Sequence, residues 1–126
     1  MTNRARQAYV DAVVTNYVRL PGTPLRASRQ DRLFARMLHE MRVPLRVVYA
    51  AFVLAIARRE TRSASHPRLP AIRTLRFFQG AIDEVVETGL DPSYVHYLSA
   101  RIKPLVAEKD AALRSGRDHT SDSRVS

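Results

Sequence analysis

Apolar residues recur along this chain at steps of three and four, the period of a helix with one buried face. From about Thr2 to Leu20, the stripe comprises Ala5, Tyr9, Ala12, Val13, Tyr17 and Leu20. Pro21-Gly22-Thr23-Pro24 then stops the helix in a turn. Ser28 supplies an N-cap oxygen, and Asp31, three residues on, completes a short capping box. The second helix, Arg29 to about Met41, should bury Leu33, Phe34, Met37, Leu38 and Met41. Pro44 suits the first turn of a third helix, where its missing N–H is no loss. From Val47 to Ala57 that helix is apolar on every side, which marks it as the central one. Arg58, Arg59 and Arg62 close it and open a polar connector through Ser63, Ser65, His66, Pro67 and Pro70.

A fourth helix is expected from about Ala71 to Thr88, with Gly89 at C′. Its inner face would carry Ile72, Leu75, Phe78, Ile82, Val85 and Val86. Asp91-Pro92, a capping carboxylate before proline, opens a fifth helix lined by Val95, Leu98, Ile102 and Leu105 or Val106. Pro104 should kink or interrupt it. Residues 115–126 show no apolar periodicity and are expected to be a disordered tail beyond a single helical domain, 1–114. No segment alternates with the period of a strand. The expected fold is all-α, a small bundle of about five helices around a central apolar one.

Composition narrows the chemistry. The 126 residues contain no Cys, which removes disulfides, thiolate metal sites and a cysteine nucleophile. The eleven-residue run Val47–Ala57 is the longest apolar stretch, shorter than the roughly 18–20 residues of a membrane span. Met1-Thr2-Asn3-Arg4 is not followed by the apolar core of a secretory signal, so a cytoplasmic location without membrane association is expected. His39, His66, His96 and His119 are too widely spaced to form a local ligand pair. Asp83 and Glu87 read as an acidic solvent face, not a metal pair, and no glycine-rich phosphate loop or nucleophile elbow occurs. The expectation is a non-enzyme without cofactor, metal or catalytic residues.

The net charge of +9 changes the picture because of where it sits. Residues 26–76 carry twelve Arg against Asp31, Glu40 and Glu60, and so equal the whole excess, while residues 77–113 are net acidic. Such a field draws polyanions, and arginine makes bidentate contacts to phosphates and base edges. Helical spacing places Arg29, Arg32 and Arg36 opposite the apolar stripe of the second helix. Arg46 opens the third. Arg58, Arg59, Arg62, Arg68, Arg73 and Arg76 populate the connector and the start of the fourth. Cations in the first turn of a helix oppose its dipole by roughly 0.3–1 kcal/mol each, a cost that a bound polyanion would offset. These ten arginines are the candidate nucleic-acid contacts, with DNA favoured over RNA. A rival reading makes the basic face an adaptor or homo-oligomer surface for an acidic protein. The third helix is too apolar to serve as the groove reader of a helix-turn-helix. Phe77, Tyr94 and Tyr97 are assigned to core packing, with a partner contact or base-stacking platform as the alternative.

Two stretches carry a resemblance. Leu69-Pro70-Ala71-Ile72-Arg73-Thr74-Leu75-Arg76-Phe77-Phe78, leading into Ile82-Asp83-Glu84-Val85, resembles a Leu-Pro-x-Ile-Arg-Ser-Leu-x-Tyr-Phe pattern followed by an acidic helix. That pattern belongs to the C-terminal helical region of bacterial plasmid and mobile-element replication proteins. Asp91 with Tyr94-Val95-His96-Tyr97-Leu98 resembles their Tyr-Ile-x-Tyr-Leu segment, and Arg29-Gln30-Asp31-Arg32-Leu33 and Val43-Pro44-Leu45 fit upstream parts. The likeness covers about residues 25–105, with Phe77 in place of the tyrosine and Gln79-Gly80 in place of a Leu-Pro-like pair. It implies a DNA-associated replication or maintenance module, usually attached to another DNA-binding domain and working beside a replication or other mobile-element protein.

Overall fold

A computed structural model describes the backbone of residues 2–65 and 69–125, and the side chains of 3–62 and 69–115. It contains α1 (Thr2–Val18), α2 (Arg29–Glu40), α3 (Leu45–Ser65), a 3-10 turn (Leu75–Phe78), α4 (Gln79–Thr88) and α5 (Pro92–Val125), with no strand among the described residues. The fold is all-α, and α3 is its axis. Helices α1, α4 and α5 and the 3-10 turn all pack against α3, whose Val48, Ala51, Phe52, Leu54 and Ile56 are buried. No helix among the described residues is long and apolar enough to cross a membrane.

Each helix end has an identifiable cause. The carbonyls at and just beyond the C-terminus of α1 receive further donors from two directions. The Thr23 hydroxyl lies 2.9 Å from the Tyr17 carbonyl and 2.7 Å from that of Leu20. The Lys109 ammonium, reaching from α5, donates to the Leu20 and Thr23 carbonyls and to Thr23 Oγ1. A cation at a helix C-terminus also meets the favourable end of the dipole. The expected capping box at α2 is present. Asp31 N–H donates to Ser28 Oγ, and Ser28 N–H donates to Asp31 Oδ2 at 2.9 Å. Helix α2 ends in a paired closure, Arg42 N–H to the His39 carbonyl and Val43 N–H to that of Leu38. This Schellman geometry needs a left-handed residue at C′, and Arg42 supplies it with φ of 60°. Tyr9 donates its hydroxyl to the Val43 carbonyl at 2.7 Å, tying α1 to this turn, and burial pushes its phenol up to about 12.

The structure corrects the expected fourth helix. Residues 71–74 are not helical, 75–78 form a 3-10 turn, and the α-helix begins only at Gln79. The reason is non-local. Ile72 N–H donates to the Gly22 carbonyl at 2.8 Å, and Leu75 N–H donates to Asp31 Oδ1 at 2.9 Å. Two backbone donors are thereby committed elsewhere, one to the α1–α2 connection and one to the first turn of α2, and residues 71–74 take no helical form. One carboxylate therefore caps two elements, its own helix and the turn 44 residues later. Phe78 locks the turn in place, fully buried and edge-on to Phe52 and Tyr17 at centroid distances of 4.9 and 6.1 Å. Such edge contacts add about 0.5–1.5 kcal/mol each beyond area burial.

Other expectations are also revised. Helix α3 extends to Ser65, so Arg58, Arg59 and Arg62 lie on a helix and not in a connector. Pro104 does not interrupt α5. Pro104 and Ala100, whose carbonyl loses its usual partner, are both solvent-exposed, so water can satisfy the freed group. Helix α5 is described as far as Val125. Leu33, Met41 and Val86, assigned to inner faces, are exposed, as are Phe77, Tyr94 and Tyr97. Asp31 and Ala35 take positions on the buried face of α2.

Candidate polyanion-binding surface

The last turns of α3 place Ala55, Arg58, Arg59 and Arg62 at i, i+3, i+4 and i+7, one stripe of a helix at about 100° per residue. Opposite lie Phe77 of the 3-10 turn and Ala81 of α4, and together these six residues line a cleft of about 140 Å³. The two alanines leave the room, the three guanidinium groups supply positive charge, and Phe77 stands 49% exposed at the edge. No acidic residue lines the cleft.

The three arginines are held differently. Arg58 makes a bidentate pair with Glu84 at 2.8 and 2.7 Å, which raises the guanidinium pKa and holds the Glu84 carboxyl below its ordinary range. This pair joins α3 to the acidic helix, so part of the expected site is engaged within the protein. Arg59 donates to the Pro70 carbonyl and lies beside Gly22. It thereby links α3 to the segment that precedes the 3-10 turn and to the α1–α2 connection. Arg62 is exposed and makes no hydrogen bond or ion pair with any other described residue.

The remaining candidates fall elsewhere. Arg73 and Arg76 precede α4 and do not occupy its first turn, so the helix-dipole argument made for them does not apply. Arg76 places its guanidinium 5.1 Å from the Phe34 ring centroid, and Arg73 is exposed beside the Gly22–Pro24 turn. Arg29 and Arg36 are exposed on the side of α2 away from its buried face. Arg32 meets Asp11 of α1 at 3.2 Å, on a different flank of α2 from the one that Arg76 covers. Arg46 is exposed at the start of α3. Arg68 and His66 lie outside the described residues, as do the side chains of Ser63 and Ser65. The structure thus brings Arg58, Arg59 and Arg62 together, with Arg73 and Arg76 on the adjoining segment. None of the α2 arginines lines that cleft.

A second basic cleft, about 580 Å³, lies between α1 and the α2–α3 turn, where Arg6, Tyr9, His39 and Arg42 meet Val43 and Pro44. Tyr9 and His39 meet edge-on, with centroids 5.1 Å apart. Sequence reasoning missed Arg6 and Arg42. A signal was present in an arginine where a helix C-terminus usually takes glycine. Glu40 also lines this cleft, so its charge is mixed.

Compared with family models, curated proteins and solved structures, the chain matches none.

Proposed function

We propose that this chain binds nucleic acid, DNA ahead of RNA, chiefly through arginine–phosphate contacts. In this reading it is an accessory of replication or maintenance of a bacterial mobile element. The observation that carries the binding reading is the cleft in which Arg58, Arg59 and Arg62 surround an exposed Phe77 with no acid in the lining. The net charge of +9 supports it, and so does the likeness of residues 69–98 to replication proteins. Arg62, Arg73 and Arg76 have no acidic partner among the described residues. Exposed pairs such as Arg58–Glu84 and Arg32–Asp11 contribute only about 0–1 kcal/mol, so a phosphate can compete for these cations.

Binding would proceed by counterion release, which makes affinity fall as salt rises, with about 0.7–0.9 of logarithmic slope per phosphate contact. Three contacts, from Arg62, Arg73 and Arg76, give a slope of roughly −2 to −3. Oligonucleotide titrations across salt concentrations measure it. Each Arg→Ala change should reduce the slope by nearly one contact, and a flat salt dependence would refute phosphate-driven binding.

A further inference from the structure

We infer that the preferred ligand is a single strand, whose unpaired bases stack on Phe77, Tyr94 and Tyr97 while the α3 arginines hold phosphates. This inference rests on the phosphate-binding reading and adds to it the state of the bases. Its starting point is an anomaly of burial. Phe77, Tyr94 and Tyr97 are 49, 47 and 55% exposed, although burying an aromatic of this size typically gains about 1.5–3 kcal/mol. The core does not need them. Phe78, next to Phe77, is fully buried against Phe52 and Tyr17.

The tyrosines are ordered relative to one another. Tyr94 and Tyr97, one turn apart on α5, lie within 20° of parallel with centroids 6.4 Å apart. Arg101, a turn further on, places its guanidinium 5.9 Å from the Tyr97 centroid. Near-parallel rings present one orientation of base plane to a passing strand. Arg58 lines the cleft beside Phe77 from α3, the helix against which α5 and its tyrosines pack.

Aromatic faces interleaved with arginine are the physical recipe for binding single strands, since every unpaired base has a face to stack. A duplex offers no such face along its length. It is read by elements that enter a groove, whereas α3, which carries the stripe, is buried along most of its length. A cleft of about 140 Å³ admits a phosphate or a base but not the breadth of a duplex. Charge decides against an acidic-protein occupant only if the bases matter, so the test isolates the bases.

The full chain is titrated by fluorescence anisotropy at fixed salt with three labelled ligands. These are a single strand of about 15 nucleotides, an abasic strand of equal charge, and the corresponding duplex. The base-bearing strand should bind at least about 5-fold more tightly than the abasic one, and more tightly than the duplex. Tyr97→Leu and Tyr94→Leu keep apolar bulk but lose the flat ring. They should erase that preference and leave the salt slope unchanged, whereas Arg62→Ala should lower the slope and keep the preference. Equal binding of base-bearing and abasic strands overturns the stacking inference while phosphate binding stands. No binding to any strand overturns both. Self-association of nuclease-treated protein that Tyr97→Leu abolishes, without base dependence, assigns the aromatic face to a protein interface and also overturns it.

Discussion

Asp31 should be worth far more to this protein than an ordinary helix cap. Its side chain is 2% exposed and accepts two backbone hydrogen bonds, from Ser28 N–H within the capping box and from Leu75 N–H at the 3-10 turn. Replacing it with Ala removes a cap worth about 1 kcal/mol. It also leaves the Leu75 donor without its charged acceptor in a buried setting, at about 1.5–3 kcal/mol. Asp31→Ala should therefore cost about 2.5–4 kcal/mol, a large share of the roughly 5–15 kcal/mol that stabilises a typical domain. Ser28→Ala deletes only the local half of the box and should cost about 1 kcal/mol, so the difference between the variants isolates the long-range bond. Urea denaturation followed by far-UV circular dichroism measures both. The consequence extends to function, because the same bond positions the turn that carries Arg76 and Phe77. Asp31→Ala should weaken oligonucleotide binding under conditions where the variant remains folded. If the two variants lose the same stability, Asp31 is a local cap only, and the pinning of the 3-10 turn is refuted.

Other perturbations have equally definite outcomes. The Tyr17 hydroxyl is buried without a hydrogen-bond partner among the described residues, so Tyr17→Phe should raise stability by about 1 kcal/mol in the same assay, and a loss would reveal a hydrogen bond to that hydroxyl. Arg42→Gly relieves a left-handed residue of its Cβ and should stabilise by about 1 kcal/mol; a destabilised variant would show that the arginine's own contacts outweigh the strain. Glu84 and Asp110 are held below their ordinary values by Arg58 and Arg19 respectively. A carboxylate of this kind adds stability that is complete above its unfolded value and lost as pH falls through its folded one. Stability should accordingly decline as pH falls through and below the ordinary carboxylate range, and Glu84→Gln with Asp110→Asn should flatten that acid limb in pH-dependent unfolding. Unchanged acid sensitivity in the double variant would remove both pairs from the account.

Much of this protein is written locally. The Ser28–Asp31 box, the stop at Pro21-Gly22 and the Asp91-Pro92 start are set by side chains within three or four residues of the groups they satisfy, so they are legible in sequence. The burial of α3 is legible too, because a helix with no polar side from Val47 to Ala57 has no face to give to water. The candidate site is legible only in its ingredients. Arg58, Arg59, Arg62 and Phe77 stand out as residues, but whether they meet depends on where α3 ends and where α4 begins.

Those boundaries were decided in three dimensions. Ala71–Phe78 has an apolar helical period, and what keeps it out of the α-helix is two hydrogen bonds, to Gly22 and Asp31, with partners far away along the chain. The same bonds choose which of two adjacent phenylalanines is buried and which faces the arginines. Sequence alone determines that the protein is helical, that its centre is α3 and that its positive charge lies in the middle third. Tertiary structure decides that Glu84 engages Arg58, that Arg62 meets no acid among the described residues, and that Phe77, Tyr94 and Tyr97 face water. The division follows from range: helical period and caps act within one turn of chain, whereas ion pairs and aromatic exposure depend on which distant segments the fold brings together.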